Sequence, residues 1–487
     1  MLKIVENLIR LLEEKRVVYV HFKSNEHVDA SVEGKTDFDL LVARSSARDY
    51  EGALLELDCK RFYSPAGAAY PGVDDWLGMD PDTGTLIHLH THYQLVTGKS
   101  GFKNYVLPWT QIALDSRHRD PDTGLYFVSP EFELAELYTR IVAKISIRKD
   151  IRAMVRGYRL TGETLREAQW LWARTDPARL EEMLRRCFGQ PEAGLSRETF
   201  FKERFTPGAY RQLRRFVLDA LAEHRRAGTG AIHLRSNLYK LKVRLVHSAK
   251  KLRFLPGIQE KKRNHTGGLL IAFLGVDGSG KTTVSREISR WLGWKMETSR
   301  MSLGVGRFKQ SPGYRLKQRI KRILGRKPSP EGAASLPSPD PVPRTLKNYL
   351  AQRKKVAFAR EIRRDLRRIH SYCLNGGIMV VDRYPQLRFF GISDGPKVNR
   401  AFPALAEKEL EYLSVAERIQ PDLVFKLMVP VEVSMDRRPE DAEEVLRRKY
   451  EILQAVEYPG ARTIEVDATQ PLEQELLFIK KKIWENL

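Results

Sequence analysis

Gly275, Gly278 and Gly280, followed by Lys281 and Thr282, give the spacing G-x-x-x-x-G-K-T. The chemistry these types can do together is to hold a phosphate chain. Glycine lets backbone N–H groups approach phosphate oxygens, because no side chain stands in the way. Lys281 can reach the terminal phosphates, the Thr282 hydroxyl suits Mg2+, and Ser279 and Thr283 complete the cradle, with Asp277 inside the loop. Such a loop must be positioned by its neighbours. Leu269–Leu274 is an apolar run of strand length, and Val284, Ile288 and Leu292 recur at helical spacing. The segment therefore predicts strand, loop and helix, the helix turning the positive end of its dipole toward a nucleoside triphosphate.

A second set lies near the N-terminus. Val17–Phe22 reads as a strand, and in the later segment GKTDFDLLV Asp37 and Asp39 alternate with Phe38 and Leu40. On an extended strand both carboxylates face one side, as two ligands of a divalent metal must. His88, His90 and His92 share a face of the strand predicted over Leu86–Leu95. They could complete a Zn2+ or Mn2+ site with the two acids, or form a satisfied histidine face on a hairpin, the commoner case and the expectation here. Ser24 with Asp37 and Asp39 resembles the polymerase-beta-like nucleotidyltransferase superfamily, which implies a third carboxylate on a later strand. Lys23 stands where that family has glycine, and Leu86–Leu95 offers histidines instead of an acid, so the expectation is a decayed copy kept as a substrate or partner platform.

The elements that carry these residues suggest an α/β multidomain chain. With 487 residues it exceeds what one core usually supports. The expected division is a nucleotidyltransferase-like α/β domain over 1–128, a helical, basic connector over 129–263, and an α/β domain over 268–487 with a parallel sheet and flanking helices, interrupted by a Pro/Ser-rich insertion at 327–344. The formal net charge of +23 implies anionic partners, whether nucleotide, nucleic acid, acidic glycan or membrane surface. Lys240–Arg263 concentrates base among leucines and valines, either a surface for phosphate backbone or anionic lipid, or a solvated helix face, the commoner case. Cys59, Cys187 and Cys373 are widely spaced and read as ordinary thiols of a reducing compartment. The first fifteen residues lack the apolar stretch of a signal peptide, and no apolar run reaches the about 18 residues of a membrane span, so a soluble, cytoplasmic protein is expected.

A long arginine-rich helix, Thr345–Leu374, ends at Gly376-Gly377 and is followed by IMVVDRYP. Asp382 and Arg383 thus fall at the C-terminal end of an apolar strand, where open parallel sheets place ligands. The loop Gly275–Thr283, this Asp382-Arg383-Tyr384, the segment Pro421–Arg438 and the ending around Val466–Ala468 together resemble the thymidylate kinase family, over a little under half the chain. That resemblance implies a P-loop NTPase fold, ATP and Mg2+ held by Lys281 and Thr282, Arg383 on the acceptor's phosphate, Asp382 at the acceptor or metal, and a lid near Arg437, Arg438, Arg447 and Arg448. The segment SRMSLGVG replaces the family's acceptor-seating segment, so the acceptor site is altered. The expected reaction is ATP-dependent phosphoryl transfer to a small anionic acceptor, nucleotide or nucleotide-like. A hydroxyl acceptor would need a base, with Asp277 and Asp382 as candidates. The alternatives are a regulatory nucleotide-binding protein docked on nucleic acid or an anionic membrane, and nucleotidyl transfer by the N-terminal domain.

Overall fold

A computed structural model of the chain describes residues 1–65, 67–99, 102–189, 197–252, 259–304, 341–391, 394–437 and 443–487. Residues 327–340 of the expected insertion and Arg438 lie outside the described residues. Two compact units divide the chain, Met1–Arg253 and Phe254–Leu487.

In the first unit α1 (Lys3–Glu14) precedes β1 (Tyr19–His21), and a 3-10 turn over Asn25–His27 leads into α2 (Val28–Val32) and β2 (Asp37–Val42). Next come α3 (Ala47–Glu56), β3 (Lys60–Tyr63), β4 (Val73–Met79), β5 (Leu86–His92), the hairpin of β6 (Leu95–Thr97) with β7 (Tyr105–Leu107), α4 (Thr110–Asp115), β8 (His118–Arg119) and β9 (Tyr126–Phe127). Seven of these strands form a mixed sheet in the order β3-β4-β5-β2-β1-β9-β8, with β2–β5 and β1–β9 parallel and the other pairs antiparallel. The period of two sorts its faces. Phe38, Leu40, Val42, Ile87 and Leu89 pack in one core with α1 and α3, while Val20, Phe22 and Leu41 join a second core on the opposite face.

That second core continues into helices. α5 (Pro130–Lys144), α6 (Ile147–Arg156), α7 (Gly162–Trp172), α8 (Pro177–Phe188) and α9 (Pro207–Ala220) all contribute to it, and α10 (Thr229–Leu252) ends the unit. The starts of α5, α8 and α9 share one device: Ser129, Asp176 and Thr206 accept hydrogen bonds from N–H groups of the first turn, and proline occupies the next position, where its missing N–H costs nothing. A short pairing of β10 (Tyr158–Arg159) with β11 (Arg204–Phe205) ties the helices together. The residues on either side of position 128 share this continuous apolar core, which joins the sheet's second face to the helices.

The second unit begins with β12 (Arg263–Asn264) and is built on a parallel sheet in the order β14-β15-β13-β16-β17. Its strands are β13 (Leu269–Gly275), β14 (Thr298–Met301), β15 (Ile378–Val381), β16 (Leu423–Met428) and β17 (Arg462–Asp467), every pair parallel. β13 is central and buried along Leu269–Phe273, as its uninterrupted apolar run requires. Helices α11 (Lys281–Leu292), α12 (Leu346–Leu374), α13 (Pro403–Leu413), α14 (Val415–Arg418), α15 (Val431–Arg437), α16 (Glu443–Ala455) and α17 (Leu472–Trp484) accompany it. The chain leaves β13 for neighbours on both sides, so a crevice opens beyond its C-terminal end. No helix among the described residues is long and apolar enough to cross a membrane. All three cysteines are free thiols.

Candidate functional site

The loop Gly275–Gly280 sits in that crevice, between β13 and α11. Gly278 and Gly280 adopt φ of +83° and +87°, a region closed to most side chains. Ser279 N–H donates to the Val276 carbonyl at 3.2 Å, closing the turn, and Gly280 is the N-cap of α11. Lys281 is buried, its Nζ donating to the Val276 carbonyl at 2.6 Å. Burial pushes its ammonium down to about 8, against the opposing pull of Asp277. Ser279 Oγ is buried with no hydrogen-bond partner among the described residues. The Thr282 side chain is exposed and Thr283 half-buried.

Other strands bring the remaining groups. Asp382, at the end of β15, is buried; its Oδ2 lies 3.7 Å from Arg300 Nη1, and its Oδ1 has no partner among the described residues. Arg383 reaches across the crevice, with Nη2 3.7 Å from Asp277 Oδ1 and Nη1 3.8 Å from Asp394 Oδ1. Asp394, then Asp277 and Asp382, hold its guanidinium above its ordinary value against burial. A Cβ at Gly304 would meet Arg383 Cδ at 2.5 Å, so the glycine of SRMSLGVG makes room for that arginine's stem. Lys449 of α16 sits 2.5 Å from Asp277 Oδ2. Burial alone would raise the Asp277 carboxyl, but Lys449 holds it below its usual range.

The structure thus gathers Asp277, Lys281, Asp382 and Arg383, and Arg437 joins them through Nη1, which donates to the Gly278 carbonyl at 3.2 Å. Arg447 and Arg448 do not join: they pair along α16 with Glu443 at 2.7 Å and Glu451 at 2.8 Å. Sequence reading missed Arg300, Asp394 and Lys449. Nothing local distinguishes them, although Asp394, at φ +60° before a glycine, carries a turn signal.

In the first unit the register aligns Asp37 with His88 and Asp39 with His90 across β2 and β5, and His90 with Asp75 on β4. Asp75 is the third carboxylate on this face, placed by an antiparallel strand that the sequence did not advertise. His88 is pinned by Asp37 Oδ1 at 2.7 Å from Nδ1 and Asp75 Oδ1 at 2.9 Å from Nε2. Asp39 Oδ1 faces His90 Nδ1 at 2.8 Å and Lys23 Nζ at 2.8 Å. Burial would raise the Asp39 carboxyl, but Lys23 and His90 keep it well below its ordinary range. Burial also lowers His90 and His92, so both favour neutral imidazole.

Asp39, His90 and His92 offer three converging donor atoms. The place of a cation at Asp39 Oδ1 is, however, taken by Lys23, the residue that replaces the resembled family's glycine. The expected Asp37–Asp39 pair is therefore split, Asp37 engaged by the His88 imidazole and Asp39 by the His90 imidazole and the Lys23 ammonium. A second acidic group gathers Glu26, Glu133 and Glu167, and Arg140 pairs with Glu167 and, at 3.2 Å, with Glu136. Burial pushes the Glu133 carboxyl up to about 8, and Asn25 donates to it. This is an internal network of the helical core.

No family model matches the chain. It is 23% identical over 227 residues to the uncharacterized ATP-binding protein YghR of Escherichia coli strain K12, covering 44% of this chain and 86% of that protein. It is 25% identical over 226 residues to the uncharacterized ATP-binding protein YghS of the same strain, covering 44% of this chain and 91% of that protein.

Proposed function

We propose that the second unit binds ATP at Gly275–Thr283 and passes its terminal phosphoryl group to a small anionic acceptor held by Arg383. The observation that carries this reading is the convergence of Lys281, Asp382 and Arg383 on one glycine loop at the C-terminal edge of a parallel sheet. The two relatives' names, both ATP-binding, support its first half. Backbone N–H groups and Lys281 would hold the phosphate chain, displacing Lys281 Nζ from the Val276 carbonyl.

The donor set fits Mg2+, since a buried carboxylate oxygen on Asp382 has no partner among the described residues and the Thr282 hydroxyl is exposed. Bound there, Mg2+ would offset charge on the phosphate oxygens. Arg383 would then leave its 3.7–3.8 Å contacts with Asp277 and Asp394 for a shorter, forked bond to acceptor phosphate. A phosphate acceptor needs no base. For a hydroxyl acceptor the candidate bases are Asp382 and Asp277, the latter engaged by Lys449 at 2.5 Å.

The test is ATP turnover by wild type and Lys281→Ala against dTMP, other nucleoside monophosphates, sugars and nucleosides. Acceptor-stimulated turnover that vanishes in Lys281→Ala is expected. Tight ATP binding with no turnover on any acceptor would overturn phosphoryl transfer and leave a nucleotide-binding regulator.

A further inference from the structure

We propose that α6 and α10 form a docking surface for an anionic lipid bilayer, lying on the membrane without crossing it. Ile147, Ile151 and Val155 recur every four residues along α6; Leu234, Leu238, Leu241 and Leu245 recur at steps of four, three and four along α10. At these spacings each set forms one stripe along its helix. Both stripes face outward: Ile151 is 53% exposed, Val155 69%, Leu234 63% and Leu245 61%. Eight of the eighteen large hydrophobic side chains exposed among the described residues lie on these two helices. On α10 the buried residues Ile232 and Ser236 fall on the side opposite the leucines, so the helix already packs with its other face.

Charge selects the partner. Arg148, Lys149, Arg152 and Arg156 are exposed along α6, as are Arg235, Lys240, Lys242 and Arg244 along α10. On α10 the two pairs Arg235, Lys242 and Lys240, Arg244 flank the leucine stripe on either side. Thr229–Leu252 contains no Asp or Glu. The one acid of α6, Asp150, turns to α9, where Tyr210 Oη donates to it at 2.8 Å and Arg214 pairs with it at 3.0 Å. Aliphatic stripes bordered by arginine and lysine, with no exposed acid between, match a surface of acyl chains beneath anionic headgroups. Nucleic acid would use the cations but has no place for seven exposed aliphatic side chains, since its bases stack on aromatic ones.

A cavity of about 470 Å3 opens where the N-terminus of α6 meets α10, lined by Lys99, Ser146, Arg148, Asn237, Lys240 and Arg244 among others. Ser146 stands at the α6 N-cap without a capping bond from its hydroxyl. Four cations, a helix N-terminus and no carboxylate suit the phosphate of a lipid headgroup. Lipid is the one occupant that would use the cavity and the stripes at once.

The full chain is sedimented with vesicles of phosphatidylcholine alone and with vesicles that also contain phosphatidylserine. Binding to the second only is expected, with about tenfold weaker partitioning in Leu238→Glu/Leu241→Glu and in Ile151→Glu. Because these positions lie in the first unit, far-UV circular dichroism and a denaturant titration unchanged from wild type show that this unit is folded in the variants. Leu238→Trp, a milder change, is expected to shift its emission to the blue on anionic vesicles. Absence of vesicle binding, binding indifferent to the glutamate substitutions, or no emission shift would each overturn the proposal, as would displacement from vesicles by RNA at equal phosphate concentration.

Discussion

Both units set carboxylates against cations on a sheet, and they leave those groups in opposite conditions. On the first sheet each acid is engaged from within: Asp37 and Asp75 by His88, Asp39 by His90 and Lys23. On the second, Asp382 Oδ1 and Ser279 Oγ are buried without partners among the described residues, and Arg383 is held only at 3.7 and 3.8 Å. A buried polar atom left unpaired costs about 1–3 kcal/mol, which a ligand that completes its bonding recovers. The carboxylates of the first arrangement are settled without a ligand, although His92 Nδ1 beside them is also buried without a partner among the described residues; in the second it is an acid, Asp382, that is left open. Residue types alone therefore say little about whether a cluster is a site; the state of its hydrogen bonds says more.

The sharpest way to break this contrast is to remove Lys281. Lys281→Ala is expected to lower acceptor-stimulated turnover by about a hundredfold or more, whereas Asp37→Ala with Asp39→Ala should leave it unchanged. Equal loss in both, measured by coupled ATPase assay, would erase the distinction. Lys23→Met tests the other side. It leaves the buried Asp39 carboxylate with His90 and no cation, and we expect a stability loss of about 3 kcal/mol by denaturant titration, largely restored by adding Asp39→Asn. If Lys23→Met instead creates tight Zn2+ or Mn2+ binding dependent on His90 and His92, the face is a metal site with a lysine plug.

A smaller effect follows from protonation. Lys281 is charged below about 8 and loses its proton as pH rises through that value, so ATP affinity should decline on this alkaline limb and Lys281→Arg should flatten it. The sign for stability is opposite: burial penalises the ammonium, so its cost to folding is full below about 8 and fades as pH rises toward the ordinary lysine range. Least of all is expected from Arg447→Ala and Arg448→Ala. Their partners are exposed, Glu443 and Glu451 on the same helix and, for Arg447, Glu432 of α15 at 3.7 Å, and both turnover and melting temperature should stay within error.

The phosphate loop was legible because its geometry is local: glycines, an apolar run and a helical period within twenty-four contiguous residues dictate strand, turn and helix. Asp382 was legible for a similar reason, as the residue after four apolar ones. Asp75, Asp394, Lys449 and Arg300 were not, because strand register or distant packing decides what they face. Among four candidate arginines near the expected lid the sequence could not choose. The register of α16 turns Arg447 and Arg448 outward and sends Lys449, the next residue, to Asp277. The core shared by the first sheet and α5–α9 was equally hidden, since a helix's apolar stripe does not name the surface it covers.

His88 does more than occupy two acids. It belongs to β5 and meets the acids of β2 on one side and β4 on the other, so a single ring spans three strands, one pair parallel and one antiparallel. Separating β4 from β5 would cost not only its own ladder but also one of the ring's two contacts, in a setting where the imidazole is 1% exposed and water cannot substitute. These strands should therefore open together, their amides exchanging with solvent as one cooperative block instead of fraying inward from β3.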